Sequence, residues 1–167
     1  SAVTGQSYDY NGTSYLIVNN SNIAANKTGD IVTTRVTSMF ELFKDESSFN
    51  GDISHWDTAA VTSMRSMFYI ATAFNQNIGS WNTAAVTDMT YMFTYATSFN
   101  QDIGFWNTSS VIGMQGMFYT TAFNQDLSNW CVQTHFDTEP SEFNDNANST
   151  WANDASKQPD WDGAACP

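Results

Sequence analysis

The sequence predicts an α/β repeat solenoid, a right-handed coil of short parallel strands and short helical or 3₁₀ segments that is capped at both ends. Three observations predict this class. Aromatic residues recur at intervals of 25, 25 and 24 residues, every methionine falls on a repeated position, and both ends of the chain lack the pattern. The 167 residues are enough for one domain, and the repeats leave no room for a second.

The repeat is carried by columns of large apolar residues. One phenylalanine and one tryptophan column share the same intervals, and they comprise Phe49, Phe74, Phe99 and Phe123, with Trp56, Trp81, Trp106 and Trp130. All seven methionines form two more columns, Met39, Met64, Met89 and Met114, with Met67, Met92 and Met117. A methionine column is typical of a core, because the flexible thioether fills irregular gaps.

Each repeat is expected to contain one strand and one helical segment. In the first full copy, Ile53, Trp56 and Thr58 have the spacing of a short strand of the leucine-rich-repeat kind. From Val61 to Ala71 the apolar residues recur at i, i+3, i+6, i+7 and i+10, which favours a helical or 3₁₀ segment. A single repeat cannot bury its apolar edge alone, so the repeats are expected to stack as in leucine-rich-repeat coils.

The single domain divides into three segments. Residues 1–35 are expected to form an N-terminal cap with a β-hairpin at Asn11-Gly12, and residues 36–130 hold a half-repeat, about three full copies and the start of a fourth. Residues 131–167 are expected to form a C-terminal cap closed by a Cys131–Cys166 disulfide. Such a bridge fits an oxidising compartment, and two unpaired thiols are the alternative.

The charge balance excludes two classes of partner. The chain has 17 acidic and five basic residues and a net charge of −12. It has no basic cluster to neutralise nucleic-acid phosphates or an anionic lipid surface. No apolar run reaches the ~18 residues of a membrane span. Solubility explains the acidity, with calcium or a basic partner as alternatives.

Four sequence blocks carry a family resemblance. The Phe-Asn-Gln-Asp-Ile, Trp-Asn-Thr, Val-Thr-x-Met and Met-Phe blocks resemble a bacterial surface-protein repeat of roughly 25 residues, a family of unknown function related to BspA-like leucine-rich repeats. The resemblance covers about residues 28 to 167. It implies an extracellular or surface-anchored solenoid associated with adhesion, and it supplies no catalytic residues.

The predicted binding surface is the concave strand face. The pair before each tryptophan varies from copy to copy while its neighbours stay constant, as a recognition surface would. We therefore expect a non-catalytic recognition or adhesion module that binds a protein, peptide or glycan at a cell surface, through Ser54, His55, Asp57, Ser80, Asn82, Phe105, Asn107 and Asn129. Phe105 is the strongest candidate, as an aromatic ring among polar groups.

Three polar columns have other expected roles. Asn50, Asn75, Asn100 and Asn124 are expected to form a ladder that satisfies turn backbone groups. Asp52, Asn77, Asp102 and Asp126 are expected to be solvated turn residues, with calcium bound by Asp52, Asp102 and Asp126 as the weaker alternative. Threonine ranks at Thr58, Thr83 and Thr108, and at Thr62 and Thr87, support an alternative function, a structural solenoid that orders water or ice.

No enzyme motif is present. The only two histidines, His55 and His135, lie in unlike contexts, and no nucleophile elbow, zinc motif or phosphate loop appears. We therefore expect no catalysis and no cofactor.

Overall fold

The computed structural model describes residues 4–27, 31–132, 136 and 138–161. Its regular secondary structure is a three-stranded sheet in the order β1-β2-β3, made of β1 (Ser7–Tyr10), β2 (Thr13–Asn19) and β3 (Ile31–Arg35). Strand β1 is antiparallel to β2, and β3 is parallel to β2. One short helix, α1 (Ser149–Ala152), and two 3₁₀ turns (Ile23–Ala25 and Ala155–Lys157) complete the elements.

The N-terminal hairpin is confirmed. Tyr10 pairs with Thr13 across the two-residue turn, and both turn residues have positive φ, 48° at Asn11 and 81° at Gly12. Two left-handed residues give a turn whose twist matches that of the flanking strands, which is why Asn-Gly favours this connection.

The predicted fold class, an α/β solenoid of the leucine-rich-repeat kind, is wrong. The fold is a small mixed β-sheet with almost no helix, and no solenoid coil of strand and helix is present in the described residues. Between Arg35 and Ser149 those residues contain no strand or helix, only isolated parallel bridges that join Ser38, Ser63, Asp88 and Gly113. The repeats are instead series of tight turns.

The predicted helical segment fails because its backbone is left-handed at two positions. Ser66 and Ile70 have φ of 53° and 58°, which no right-handed helix contains. The same conformation recurs at the matching positions of the other copies, Glu41, Asp45, Tyr91, Tyr95, Gly116 and Thr120. It turns alternate N–H groups toward the next repeat, so that Ser66 donates to Thr90 and Ile70 donates to Thr94.

The predicted strand is a turn as well. The Trp56 N–H donates to the Ile53 carbonyl at 3.1 Å, and Trp81 and Trp106 make the same bond within their own copies. A bond between residues three apart closes a β-turn, which cannot be part of a sheet ladder. The residues predicted to lie on a strand face therefore lie at the corner of a turn.

Each repeat forms one layer, meaning one copy of the turn series, and hydrogen bonds join neighbouring layers. Backbone N–H groups donate to carbonyls 24 residues further on, as from Met64 to Asp88 and from Met89 to Gly113. Buried indoles reinforce the contact, because Trp81 Nε1 donates to the Ile53 carbonyl, and Trp106 and Trp130 repeat the bond one layer later each.

Aromatic columns form the core, as the spacing predicts. Phe68 and Phe93 stack with ring centroids 5.6 Å apart, and Phe74 and Phe99 stack at 5.8 Å. Within a layer the two columns touch, with 3.8 Å between the centroids of Phe68 and Phe74. All seven methionines are buried, which confirms them as core residues.

The turn pattern continues past Trp130, where the sequence periodicity ends. Gly116 and Thr120 donate to the carbonyls of Ser141 and Asp145, and Glu142 has a φ of 59°. Trp151 then closes the stack, because it is fully buried and meets Phe123 edge-on at 4.8 Å. A perpendicular ring gives the next layer nothing to stack on, which ends the column.

We predict that Gly79→Ala destabilises the protein. A Cβ at Gly79 would lie 2.5 Å from the carbonyl oxygen of Asp102 in the next layer, and a backbone atom there cannot move aside without shifting that layer. Overpacking of this kind lowers the free energy of unfolding by about 1–3 kcal/mol. Urea unfolding measures the change. The exposed neighbour Ser80→Ala is the control and should stay within about 0.5 kcal/mol; equal stability of both variants would contradict the layer contact.

Candidate functional site

The predicted binding residues form one exposed edge, here called the turn edge, which consists of two columns. The first holds the exposed corner residues His55, Ser80, Phe105 and Asn129, and the second holds the exposed residues Asp57, Asn82 and Asn107. They align because the turns that carry them are joined layer to layer by the tryptophan indoles. Ser54 is half-buried beside the first column.

Phe105 is the outstanding residue of the turn edge. Its side chain is 86% exposed, more than any other large apolar residue of the described chain. A shallow hollow of about 400 Å³ is lined by residues 104–109 with Asn129 and Cys131. An exposed aromatic ring at the rim of a hollow is an arrangement that recognition surfaces use.

The second column has a structural role in addition to any contact with a partner. One side-chain oxygen of Asp57 accepts from the N–H of Ala59 at 3.0 Å, and Asn82 and Asn107 do the same for Ala84 and Ser109. These bonds hold the corner between two turns. Only the second polar atom of each side chain remains for recognition.

Part of the variation before each tryptophan is steric. A Cβ at Gly104 would lie 2.5 Å from the carbonyl oxygen of Asp126, and a Cβ at Gly79 would lie equally close to that of Asp102. Glycine therefore stands at both positions because the next layer passes close by. In these two pairs only the second residue, Ser80 or Phe105, has a side chain that can serve recognition.

The turn edge extends onto the N-terminal sheet, which the sequence reasoning missed. His55 and Asp57 line a second hollow with Tyr15 of β2 and residues 31–33 of β3. The signal was present, because Thr33 precedes Thr58 by the 25 residues of the repeat. Its hydroxyl donates to the Asp57 carbonyl, so β3 is bonded to the first layer as the layers are to each other.

The asparagine ladder is confirmed. Asn50 Oδ1 accepts from the N–H of Asn75, and the bond recurs from Asn100 to Asn75 and from Asn124 to Asn100. Lys157 Nζ donates to Asn124 Oδ1 and ends the ladder at the C-terminal cap. The column is structural.

The acidic column stabilises its own turns. Asp52 Oδ1 accepts from the N–H of Ser54, and Asp102 and Asp126 repeat the bond. The Ser54 N–H, joined by the Ser54 hydroxyl, holds the pKa of Asp52 below its ordinary value, and Ser128 does the same to the pKa of Asp126. The described residues contain no group of three or more His, Cys, Asp or Glu able to hold a metal, and calcium binding by Asp52, Asp102 and Asp126 stays the weaker, untested alternative.

The two threonine ranks differ in exposure. Thr58, Thr83 and Thr108 are each 1% exposed, and their hydroxyls donate to carbonyls of the next layer. A buried rank cannot order water at the surface. Thr62 and Thr87 are exposed and donate to the preceding layer, and Ile112 follows them with 63% of its side chain exposed.

The remaining sequence-predicted residues lie at the C-terminal end. Cys131 is disulfide-bonded. Its predicted partner Cys166 lies outside the described residues, as does His135, so the pairing stays a prediction. No described helix is long and apolar enough to cross a membrane.

The family comparison identifies the chain. The family described as "Mycoplasma protein of unknown function, DUF285" matches residues 13–130 and, in a second alignment, residues 37–155. The chain belongs to this family. The predicted membership in the BspA-like leucine-rich repeats is therefore wrong: the 25-residue blocks that carried the resemblance lie within the DUF285 match. No curated protein and no solved structure matches the chain.

We predict that Thr83→Val destabilises the protein more than Thr87→Val. Thr83 is buried and donates to the Asn107 carbonyl at 2.9 Å, so valine removes a partly buried hydrogen bond at a cost of about 1–1.5 kcal/mol. Thr87 makes the same kind of bond at the surface, where water replaces it and the loss stays near 0.5 kcal/mol. Urea unfolding compares the two, and equal losses would contradict the buried role.

We predict that the double substitution Asp52→Asn and Asp126→Asn reduces the loss of stability at acid pH. A lowered pKa contributes stability above the ordinary value of 3.8 that is lost as the pH falls through the folded value. Asparagine keeps the accepting oxygen, as Asn77 does, but does not titrate. Unfolding free energies should therefore fall less in the double variant than in the wild type between about pH 5 and about pH 2.

Glu139 provides an internal check of that measurement. Burial raises the pKa of Glu139, so its contribution has the opposite sign and is lost as the pH rises. Glu139 is unchanged in the double variant, and its effect cancels in the comparison. Identical acid slopes for both proteins would show that the two capping bonds are not formed in solution.

Proposed function

We propose that this member of the DUF285 family is a non-catalytic recognition or adhesion module that acts outside the cell or at its surface. Its ligand is a protein, peptide or glycan, bound along the turn edge. The observation that carries the proposal is Phe105, an aromatic side chain left 86% exposed at the rim of a hollow lined by both polar and apolar groups. Burial of such a ring by a partner removes a large apolar surface from water.

The frame beneath the turn edge supports this role. The tryptophan indoles and buried threonines bond each layer to its neighbour, so the exposed corner residues stand on a backbone that is already ordered. An ordered surface loses little conformational entropy on binding, which favours affinity. The corner residues of the first column differ from layer to layer, namely His55, Ser80, Phe105 and Asn129, and this difference allows specificity along the edge.

The charge of the chain limits the classes of partner that it can bind. A net charge of −12 repels acidic surfaces at low salt and attracts neutral or basic ones. A neutral glycan or a basic protein surface therefore fits better than an acidic polymer. The Cys131 disulfide agrees with an oxidising compartment, where adhesion modules act.

We predict that Phe105→Ala lowers affinity for the ligand found by a glycan and peptide array. Loss of a central aromatic should raise Kd at least about tenfold, equivalent to about 1.4 kcal/mol. The matched control is Ile112→Ala, which removes another exposed apolar side chain of the same repeat at 63% exposure. If Phe105→Ala and Ile112→Ala both bind the ligand with wild-type affinity, the turn edge is not the binding surface.

A further inference from the structure

Four tyrosines form a second surface feature, here called the tyrosine cluster, made of Tyr69, Tyr91, Tyr95 and Tyr119. With Thr94 and Glu142 they line a hollow of about 420 Å³. The cluster belongs to the series of left-handed turns, whereas the turn edge belongs to the corners at the tryptophans. Neither the proposed function nor the family description accounts for it.

The cluster exists because one repeat position changes size between layers. Tyr69, Thr94 and Tyr119 are equivalent residues at intervals of 25. Thr94 is small and buried, and its hydroxyl donates to the Gly116 carbonyl. Its size leaves a gap between the outer two rings, and Tyr95 enters this gap from the next position of its own layer.

The Tyr95 ring meets the rings of two neighbouring tyrosines at nearly a right angle. Tyr95 lies 6.2 Å from Tyr69 at an interplanar angle of 90°, and 5.4 Å from Tyr119 at 80°. Tyr95 is still 38% exposed, so the walls open to solvent. The rings therefore pack edge against face, and together they line the hollow.

A second departure from the repeat admits the fourth ring. Tyr91 packs over Gly116, where a Cβ would come within 2.6 Å of the ring. The equivalent residue in the layer before Tyr91 is the smaller Ser66, and the residue that follows Ser66 in the column, Tyr91, is not glycine. Glycine therefore occurs in this column only at the position over which a tyrosine packs. Two independent size reductions, at Thr94 and Gly116, therefore make space for the same cluster.

Cationic side chains lie over two of the four rings. Tyr119 raises the pKa of the Tyr95 phenol, and burial, Tyr69 and Glu142 add to the effect, so this phenol stays uncharged at neutral pH. Lys44 already lies 5.9 Å from the ring centre of Tyr69, and Arg65 lies 6.0 Å from that of Tyr91. Among the described residues, no basic side chain lies over Tyr95 or Tyr119.

We propose that the tyrosine cluster binds a quaternary ammonium group of the choline type. Aromatic faces attract a cation through their quadrupoles, and a methylated ammonium loses little hydration on entering an apolar cage. Glu142 supplies one carboxylate at the rim. A metal ion does not fit, because a single carboxylate among phenols lacks the set of oxygen ligands that calcium or magnesium requires.

The test titrates choline chloride into the full chain at constant ionic strength and follows the tyrosine ring resonances by NMR. A Kd of about 1–10 mM is expected from one or two cation–π contacts. The matched probe is 3,3-dimethylbutan-1-ol, which has the shape of choline without its charge and should bind at least about tenfold more weakly. Equal binding of the two probes would reduce the site to an apolar hollow and overturn the proposal.

Three variants locate the site. Tyr95→Leu should weaken choline binding by about tenfold, and Glu142→Gln by about threefold through the lost rim charge. Glu142 is exposed, so Glu142→Gln keeps the proposal testable even if Tyr95→Leu fails to fold. Phe105→Ala should leave choline binding unchanged, and loss of choline in that variant would place the cation on the turn edge and overturn the proposal.

A vesicle arm identifies the source of the ammonium group. Binding of phosphatidylcholine vesicles that is lost in Tyr95→Leu assigns the group to a lipid headgroup, whereas binding of free choline alone assigns it to a soluble ligand. Both results support the site. Absence of binding to either probe overturns it, and the array result for Phe105 is unaffected by that outcome.

Discussion

Backbone hydrogen bonds between successive layers are the constraint on which the rest of the structure depends. They require alternate N–H groups of each turn series to point along the stack, and that requires left-handed residues such as Ser66 and Ile70. The left-handed conformation costs about 1–2 kcal/mol at each ordinary residue. The inter-layer bonds and the buried phenylalanine and methionine columns offset this cost. Threonine hydroxyls, tryptophan indoles and asparagine side-chain oxygens also join the layers: Thr83 donates to the following layer, the Trp106 indole donates to the preceding layer, and Asn75 Oδ1 accepts from the following one.

Because the side chains inside the stack join the layers, function is left to the side chains that point away from it. Two surfaces stand out, and both lie where a copy departs from its neighbours. At the turn edge, Phe105 occupies a corner position that holds histidine, serine or asparagine in other layers. In the tyrosine cluster, Thr94 and Gly116 are smaller than their counterparts and make room for rings from adjacent positions. A regular frame can tolerate such departures because each layer depends mainly on contacts with its nearest neighbours.

The sequence predicts the side-chain columns of this protein but not the path of its backbone. Burial of the methionines, the stacked phenylalanines and the asparagine ladder follow from equal spacing, since equivalent residues of identical turns must lie over one another. The helix predicted from Val61 to Ala71 failed because apolar residues three and four apart suit consecutive turns as well as a helix. Periodicity carries no information about the sign of φ at Ser66 or Ile70.

By itself, the sequence determined which residues of the repeats are core and where the N-terminal hairpin turns. Those features depend on residue type and spacing along one chain, both of which are visible in the letters. Only the tertiary structure decided that Gly79 is glycine because the Asp102 carbonyl passes 2.5 Å from its missing Cβ, and that Tyr95 stands between Tyr69 and Tyr119. These facts depend on distances between atoms of different layers, and no spacing within one layer encodes them.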